Sequence, residues 1–152
     1  MKHLLLVYHS QHGHTEAMKN AVCDGIRAAG DEVELRCKRA LEAGLDDLLW
    51  AQGLLLGTPE NFGYMSGALK DFLDRTYYPA EGKTSGLPYA VFISAGNDGS
   101  GAARAIERIA TGYGWTRISE ALICKGELNT DALMRCRELG EGMAAGLGSG
   151  IF

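Results

Sequence analysis

Leu4-Leu5-Leu6-Val7-Tyr8 runs directly into His9-Ser10-Gln11-His12-Gly13-His14-Thr15, and the period of the apolar residues changes across the join. A continuous apolar run reads as a strand covered on both faces, as in the middle of a parallel sheet. From residue 15 to 29 the apolar positions Met18, Val22, Ile26 and Ala29 recur at helical spacing, and Gly30 follows where a left-handed terminator belongs. Strand, glycine-bearing loop and helix form the opening unit of an α/β fold.

The alternation continues outward. Val33, Leu35 and Cys37 alternate with charged neighbours over residues 32–37, as in a half-buried edge strand. Residues 53–57 read as strand three, and Met65, Leu69, Phe72, Leu73 and Thr76 mark the next helix. Strand four covers 89–94, a helix carries Ala102, Ile106, Ile109 and Tyr113, and strand five covers 118–124. A last helix runs from about 129 to 143, and the Gly-rich tail through Phe152 receives no assignment. Five strands joined by right-handed helical crossovers predict an open, doubly wound parallel sheet in the order 2-1-3-4-5, with helices on both faces.

A chain of 152 residues, 46% of them apolar, predicts a single domain over residues 1–152 with a sizeable core. A net charge of −4 provides no basic face for nucleic acid. No apolar run reaches the ~20 residues that span a bilayer, and Met1-Lys2 leads straight into a core-like segment rather than a signal peptide, so the expected location is the cytoplasm. Cys23, Cys37, Cys124 and Cys136 are scattered without a C-x-x-C pair, which predicts reduced, mostly buried side chains and neither a zinc site nor a disulfide framework.

Ligands of such sheets sit at the carboxyl ends of the strands, so the loops after strands one, three and four should carry function. In the first, Ser10, Gly13 and Thr15 stand between a buried strand and a helix N-terminus, where free N–H groups and the helix dipole favour a phosphate. The simpler reading is an N-capping hydroxyl. Neither G-x-G-x-x-G nor G-x-x-x-x-G-K-[ST] is present, and strand three ends in Thr58-Pro59 rather than a phospho-acceptor Asp. His12 and His14 lack partners at metal-ligand spacing and read as phosphate neighbours or solvent-exposed loop residues.

The second loop, Gly57-Thr58-Pro59-Glu60-Asn61-Phe62-Gly63-Tyr64-Met65-Ser66-Gly67, continues through Leu69-Lys70-Asp71-Phe72-Leu73-Asp74-Arg75. It resembles the NAD(P)H-dependent FMN reductase and quinone reductase branch of the flavodoxin-like superfamily. The motif there reads Gly-Thr-Pro, Phe-Gly, Met-Ser-Gly, then a helix with Phe-Leu-Asp. The third loop, Ser94-Ala95-Gly96-Asn97-Asp98-Gly99-Ser100-Gly101, has the glycines that let backbone approach a flat ring.

The resemblance implies a flavodoxin-like fold and non-covalent FMN. Its phosphate would be held by Ser10, His12, Gly13, His14 and Thr15. Pro59, Glu60, Asn61, Phe62, Gly63, Tyr64, Ser94, Gly96, Asn97 and Gly99 would surround the ring. It further implies an oxidoreductase that takes hydride from NAD(P)H and reduces a quinone, flavin or other flat acceptor, with no side chain needed as acid or base. Where quinone reductases of this branch commonly carry Arg before Phe-Gly, this chain has Asn61. The alternatives are a flavodoxin-type carrier, which usually has a strongly acidic surface, and a flavin-binding interaction module without turnover. Tyr77-Tyr78-Pro79 and Trp115 would supply apolar contact for a homodimer.

Overall fold

The computed structural model describes residues 1–152. Its elements are β1 (Lys2–Tyr8), α1 (His14–Ala28), β2 (Val33–Arg39), α2 (Leu45–Trp50), β3 (Gly53–Asn61), β4 (Tyr64–Met65), α3 (Gly67–Ala80), β5 (Pro88–Ala95), α4 (Ser100–Tyr113), β6 (Thr116–Arg117), β7 (Leu122–Lys125) and α5 (Thr130–Gly148). The parallel order β2-β1-β3-β5, with β6 and β7 both against β5, is the expected 2-1-3-4-5 arrangement. No helix is long and apolar enough to cross a membrane.

Alternation along the central strands sorts the core into two layers. Leu5, Val7, Leu54, Leu56, Val91 and Ile93 face α2, α3 and α4, where Leu48, Phe72 and Ile106 cover them. Leu4, Leu6, Leu55 and Phe92 face α1 and α5, under Met18, Val22, Ile26, Cys136 and Met143. Above this layer α1 and α5 meet each other through backbone at two glycines. A Cβ on Gly25 of α1 would lie 1.9 Å from the Arg137 carbonyl oxygen of α5, and one on Gly140 would lie 2.0 Å from that of Val22. The two helices touch main chain to main chain at both glycines.

Several sequence expectations change. The fifth strand is two short pieces, because four steps of β5 from Pro88 to Phe92 are matched by six from Thr116 to Leu122. The last helix continues to Gly148, since Met143, Ala144 and Leu147 are buried and its glycines allow close packing. α2 was not expected, as six residues are too few to display a helical period. Cys23, Cys124 and Cys136 are buried, but Cys37 is exposed on the edge strand β2. Trp115 is only 7% exposed: its ring stacks on Tyr113 at 4.2 Å and its Nε1 donates to Thr84 Oγ1, so it offers nothing to a second copy. Tyr78 does remain on the surface.

Asp47 pins α2 to the edge strand. It is buried, accepts from the Gly44 N–H at 2.9 Å, and pairs with Arg36 at 3.0 Å and Lys38 at 3.1 Å. Burial works to raise its carboxyl pKa, but the Gly44 N–H, Lys38 and Arg36 outweigh it and hold the value below the ordinary carboxylate range. A depressed native pKa contributes stability that is full above the unfolded value near 4 and is lost as pH falls through the native value. Asp47→Asn keeps the cap and removes the charge. We expect it to cost about 1–2 kcal/mol at pH 7, because both cations are partly exposed and rehydrate, and to flatten the acid limb of stability below about pH 4. Urea titrations of both proteins between pH 7 and 2 check this, and parallel acid limbs would refute it.

Candidate functional site

The carboxyl ends of β1, β3 and β5 bring the three loops together around a cavity of about 220 Å³. Gln11, His12, His14 and Thr15 form one wall, Pro59, Glu60 and Asn61 a second, and Ser94, Ala95 and Gly96 a third. The loop after β7 adds Gly126 and Glu127. Gln11, Ala95, Gly126 and Glu127 were missed by sequence reasoning. The rule that pointed to the strand ends also covers the turn after strand five, and Gly126 was the signal available there.

The first wall is built from main chain. Gly13, at φ 97°, turns the loop into α1 and is its N-cap, a conformation that a side chain would strain. Ser10 Oγ accepts from the Glu16 N–H at 3.1 Å, and the Ala17 N–H returns to the Gly13 carbonyl. The N–H groups of Gln11, His12, Gly13, His14 and Thr15 reach no acceptor within the chain. A run of unpaired amides at a helix N-terminus forms a concave anion site. The buried Thr15 hydroxyl bonds the Ser94 hydroxyl at 2.8 Å, fixing this wall to the end of β5.

Cationic help is slight. His14 Nε2 lies 3.8 Å from the Glu127 carboxylate, but both side chains are largely exposed and the pair contributes little. Burial and then nearby Arg39 hold His9 below its usual pKa. No lysine or arginine lines the cavity.

The second wall is a tight hairpin. Asn61 of β3 pairs with Tyr64 of β4, and the turn residues Phe62 and Gly63 have φ of 52° and 74°. Both central residues are left-handed, as a two-residue hairpin turn requires, and Phe62 is the chain's one non-glycine residue in that region. Strain of this kind at a fully exposed aromatic is held in place by its surroundings. Thr58 Oγ1 accepts from the Ser66 N–H at 3.0 Å, and Ser66 caps α3 by accepting from the Leu69 N–H. Thr58 and Ser66 of the sequence motif therefore stitch the hairpin shut.

Glu60 couples the second wall to the third. Its carboxylate accepts from the Gly99 N–H at 2.8 Å and the Ala102 N–H at 3.1 Å, capping α4 from another loop. Asn61 Nδ2 likewise donates to Gln11 Oε1 at 3.2 Å and joins the second wall to the first. Among the sequence candidates, His12, His14, Thr15, Pro59, Glu60, Asn61, Ser94 and Gly96 line the cavity. Ser10 and Gly13 support its wall, and Gly99 packs on Ile123 beneath the third loop. Phe62 and Gly63 form the rim, Tyr64 opens onto a neighbouring groove, and Asn97 stands outside the lining.

Comparison with known proteins agrees with this architecture. Residues 13–122 match the family model described as NADPH-dependent FMN reductase. Among curated proteins, the chain is 35% identical over 101 residues to a flavodoxin of Aquifex aeolicus (strain VF5), covering 66% of this chain and 54% of that one. It is 34% identical over 121 residues to an NAD(P)H dehydrogenase (quinone) of Acidithiobacillus ferrooxidans, covering 66% and 60%. The chain thus spans little more than half the length of these relatives. A solved flavodoxin from the domain Archaea superposes with a TM-score of 0.81 at 24% identity, over 95% of this chain and 98% of that one, and shares its fold. With 13–122 matched by one family model, the chain belongs to the NADPH-dependent FMN reductase family.

Proposed function

We propose that residues 1–152 form a single FMN-binding domain that works as an NAD(P)H-dependent oxidoreductase toward a quinone or other flat acceptor. The observation that carries this reading is the run of unpaired amides from Gln11 to Thr15 facing the Pro59–Asn61 hairpin across one cavity. A phosphate ester fits the amides. FMN held there would supply two-electron hydride chemistry between a nicotinamide and the acceptor.

The chain's own residues bind and orient. The five amides neutralise the phosphate without a lysine or arginine, Ser10 and Thr15 add hydroxyls, and His12 and His14 stand beside it. Pro59 and the left-handed pair Phe62-Gly63 fix one edge for the ring, and Ser94 and Gly96 the other. Glu60 holds those edges together. Phe62 stands fully exposed at the rim of the first edge.

The flavodoxin relative favours a second reading, an electron carrier to protein partners. Steady NADPH oxidation by the purified, FMN-loaded protein separates the two. We expect anaerobic NADPH to bleach the flavin absorption and quinone to restore it; a flavin that NADPH leaves unreduced would overturn the oxidoreductase reading.

The phosphate cradle makes its own prediction. FMN should bind at least about 30-fold more tightly than riboflavin, corresponding to ~2 kcal/mol from charge-assisted amide hydrogen bonds. Fluorescence quenching titrations measure both constants, and equal affinities would remove the cradle from the site.

A further inference from the structure

A second open groove, of about 620 Å³, adjoins the hairpin at Tyr64 and shares no lining residue with the phosphate-cradle cavity. It runs from Tyr64 along α4 past Arg104, Arg108 and Ile109. Its position is set by close backbone approach: a Cβ on Gly101 would sit 2.1 Å from the Gly63 carbonyl oxygen, so the first turn of α4 lies directly against the turn of the hairpin. Whatever rests on the 61–64 hairpin therefore meets α4 next.

The charges in this groove are not used by the fold. Of nine arginines, Arg27, Arg36, Arg39, Arg75, Arg117 and Arg135 are paired with carboxylates. Two of the remaining three, Arg104 and Arg108, lie one helical turn apart on α4 and line the same groove. Like charges at this spacing work against a helix, and neither arginine forms an ion pair within the chain. Glu107 is the one carboxylate in the lining, and Arg117 already holds it. Asp98, which feels the Arg104 charge without pairing with it, accepts from the Ser100 hydroxyl at 2.7 Å. Tyr64, 41% exposed, supplies an aromatic face at the mouth.

Two unpaired guanidinium groups and an aromatic ring, contiguous with a flavin edge, form a site for a phosphorylated nucleotide: arginine engages phosphate in bidentate fashion, and the ring stacks on a base. We propose that Arg104 and Arg108 bind the ribose 2′-phosphate of NADPH and set a preference for it over NADH. The inference rests on the oxidoreductase reading above, and it assigns the specificity of the donor to α4. A dinucleotide whose nicotinamide lies over the hairpin would lay its adenosine end along this helix.

The test uses FMN-loaded protein and three probes, 2′,5′-ADP, 3′,5′-ADP and 5′-AMP, titrated calorimetrically. Wild type is expected to bind 2′,5′-ADP about tenfold or more tightly than either other probe, and Arg104→Ser with Arg108→Ser together to abolish the difference. In the same double variant the ratio of kcat/KM for NADPH over NADH should fall by a similar factor, while FMN affinity and the melting temperature hold. Equal binding of 2′,5′-ADP and 5′-AMP, equal binding of the two bisphosphates, or a preference that survives the double substitution would each overturn the proposal. A flavin that neither NADPH nor NADH reduces would instead sink the oxidoreductase reading, and the 2′,5′-ADP comparison would still decide whether the arginines form a phosphate site.

Discussion

Replacing Gly101 by alanine is expected to weaken FMN binding by about 100-fold, or ~3 kcal/mol, because the added methyl has no space to enter. Its Cβ would lie 2.1 Å from the Gly63 carbonyl oxygen, 2.8 Å from the carbonyl carbon and 3.1 Å from the Gly63 Cα. All three are backbone atoms of a turn already held in the left-handed region, so no rotamer change relieves the clash. The hairpin must move away from α4, and that movement pulls Glu60 from the Gly99 and Ala102 amides it now bridges. Two edges of the proposed ring site then separate. Gly142→Ala is the control, because a Cβ there meets nothing within 4 Å in the middle of α5. Alanine is a better helix former than glycine, so the control should leave affinity unchanged and raise stability slightly. Fluorescence titration of FMN on both variants gives the comparison, and wild-type affinity in a folded Gly101→Ala protein would separate the hairpin from the site.

The largest expected effect on stability lies on the other face of the sheet. Gly140→Val should cost about 3 kcal/mol, since over-filling a close-packed contact outweighs the smaller change in helix propensity. The opposing atoms are the Val22 carbonyl at 2.0 Å and the Ile26 N at 3.2 Å, both inside α1 and both committed to its helix. Gly25 meets Arg137 in the same way, so the helices cannot slide to relieve one contact without tightening the other. Guanidinium titration at constant slope measures the loss, and a change below about 1 kcal/mol would mean that α1 and α5 can re-pack.

Much of this architecture was legible in the order of residues. The apolar run at Leu4–Tyr8 and the switch to helical spacing at Met18, Val22 and Ile26 are local signals, and right-handed crossovers leave little freedom in joining such units. The three loops follow from the strand ends, and the structure brings residues of all three around one cavity. What could not be read depends on neighbours distant in sequence. Glu60 looks like any exposed loop carboxylate until Gly99 and Ala102 arrive beside it. The break in the fifth strand comes from two extra residues opposite β5, and alternation within residues 118–124 contains no trace of them. Trp115 offered itself as a surface aromatic because its partners, Thr84 and Tyr89, lie in other elements. The Gly-rich tail offers no apolar period to read, although Gly146 continues α5 at a point where a Cβ would lie 2.1 Å from the Phe152 ring.

The contact between α1 and α5 also has a temporal side. α1 begins immediately after the first strand and carries the amide cradle at its N-terminus, but the surface that seats its inner face belongs to α5, which follows every strand in the chain. During translation a chain that already holds the whole sheet still presents Met18, Val22 and Ile26 to water, together with Leu4, Leu6 and Leu55 beneath them. That intermediate is the species most open to aggregation and the one a chaperone would engage. Capture of FMN at the proposed cradle is therefore expected late in biosynthesis, once α5 has emerged and locked α1 in place.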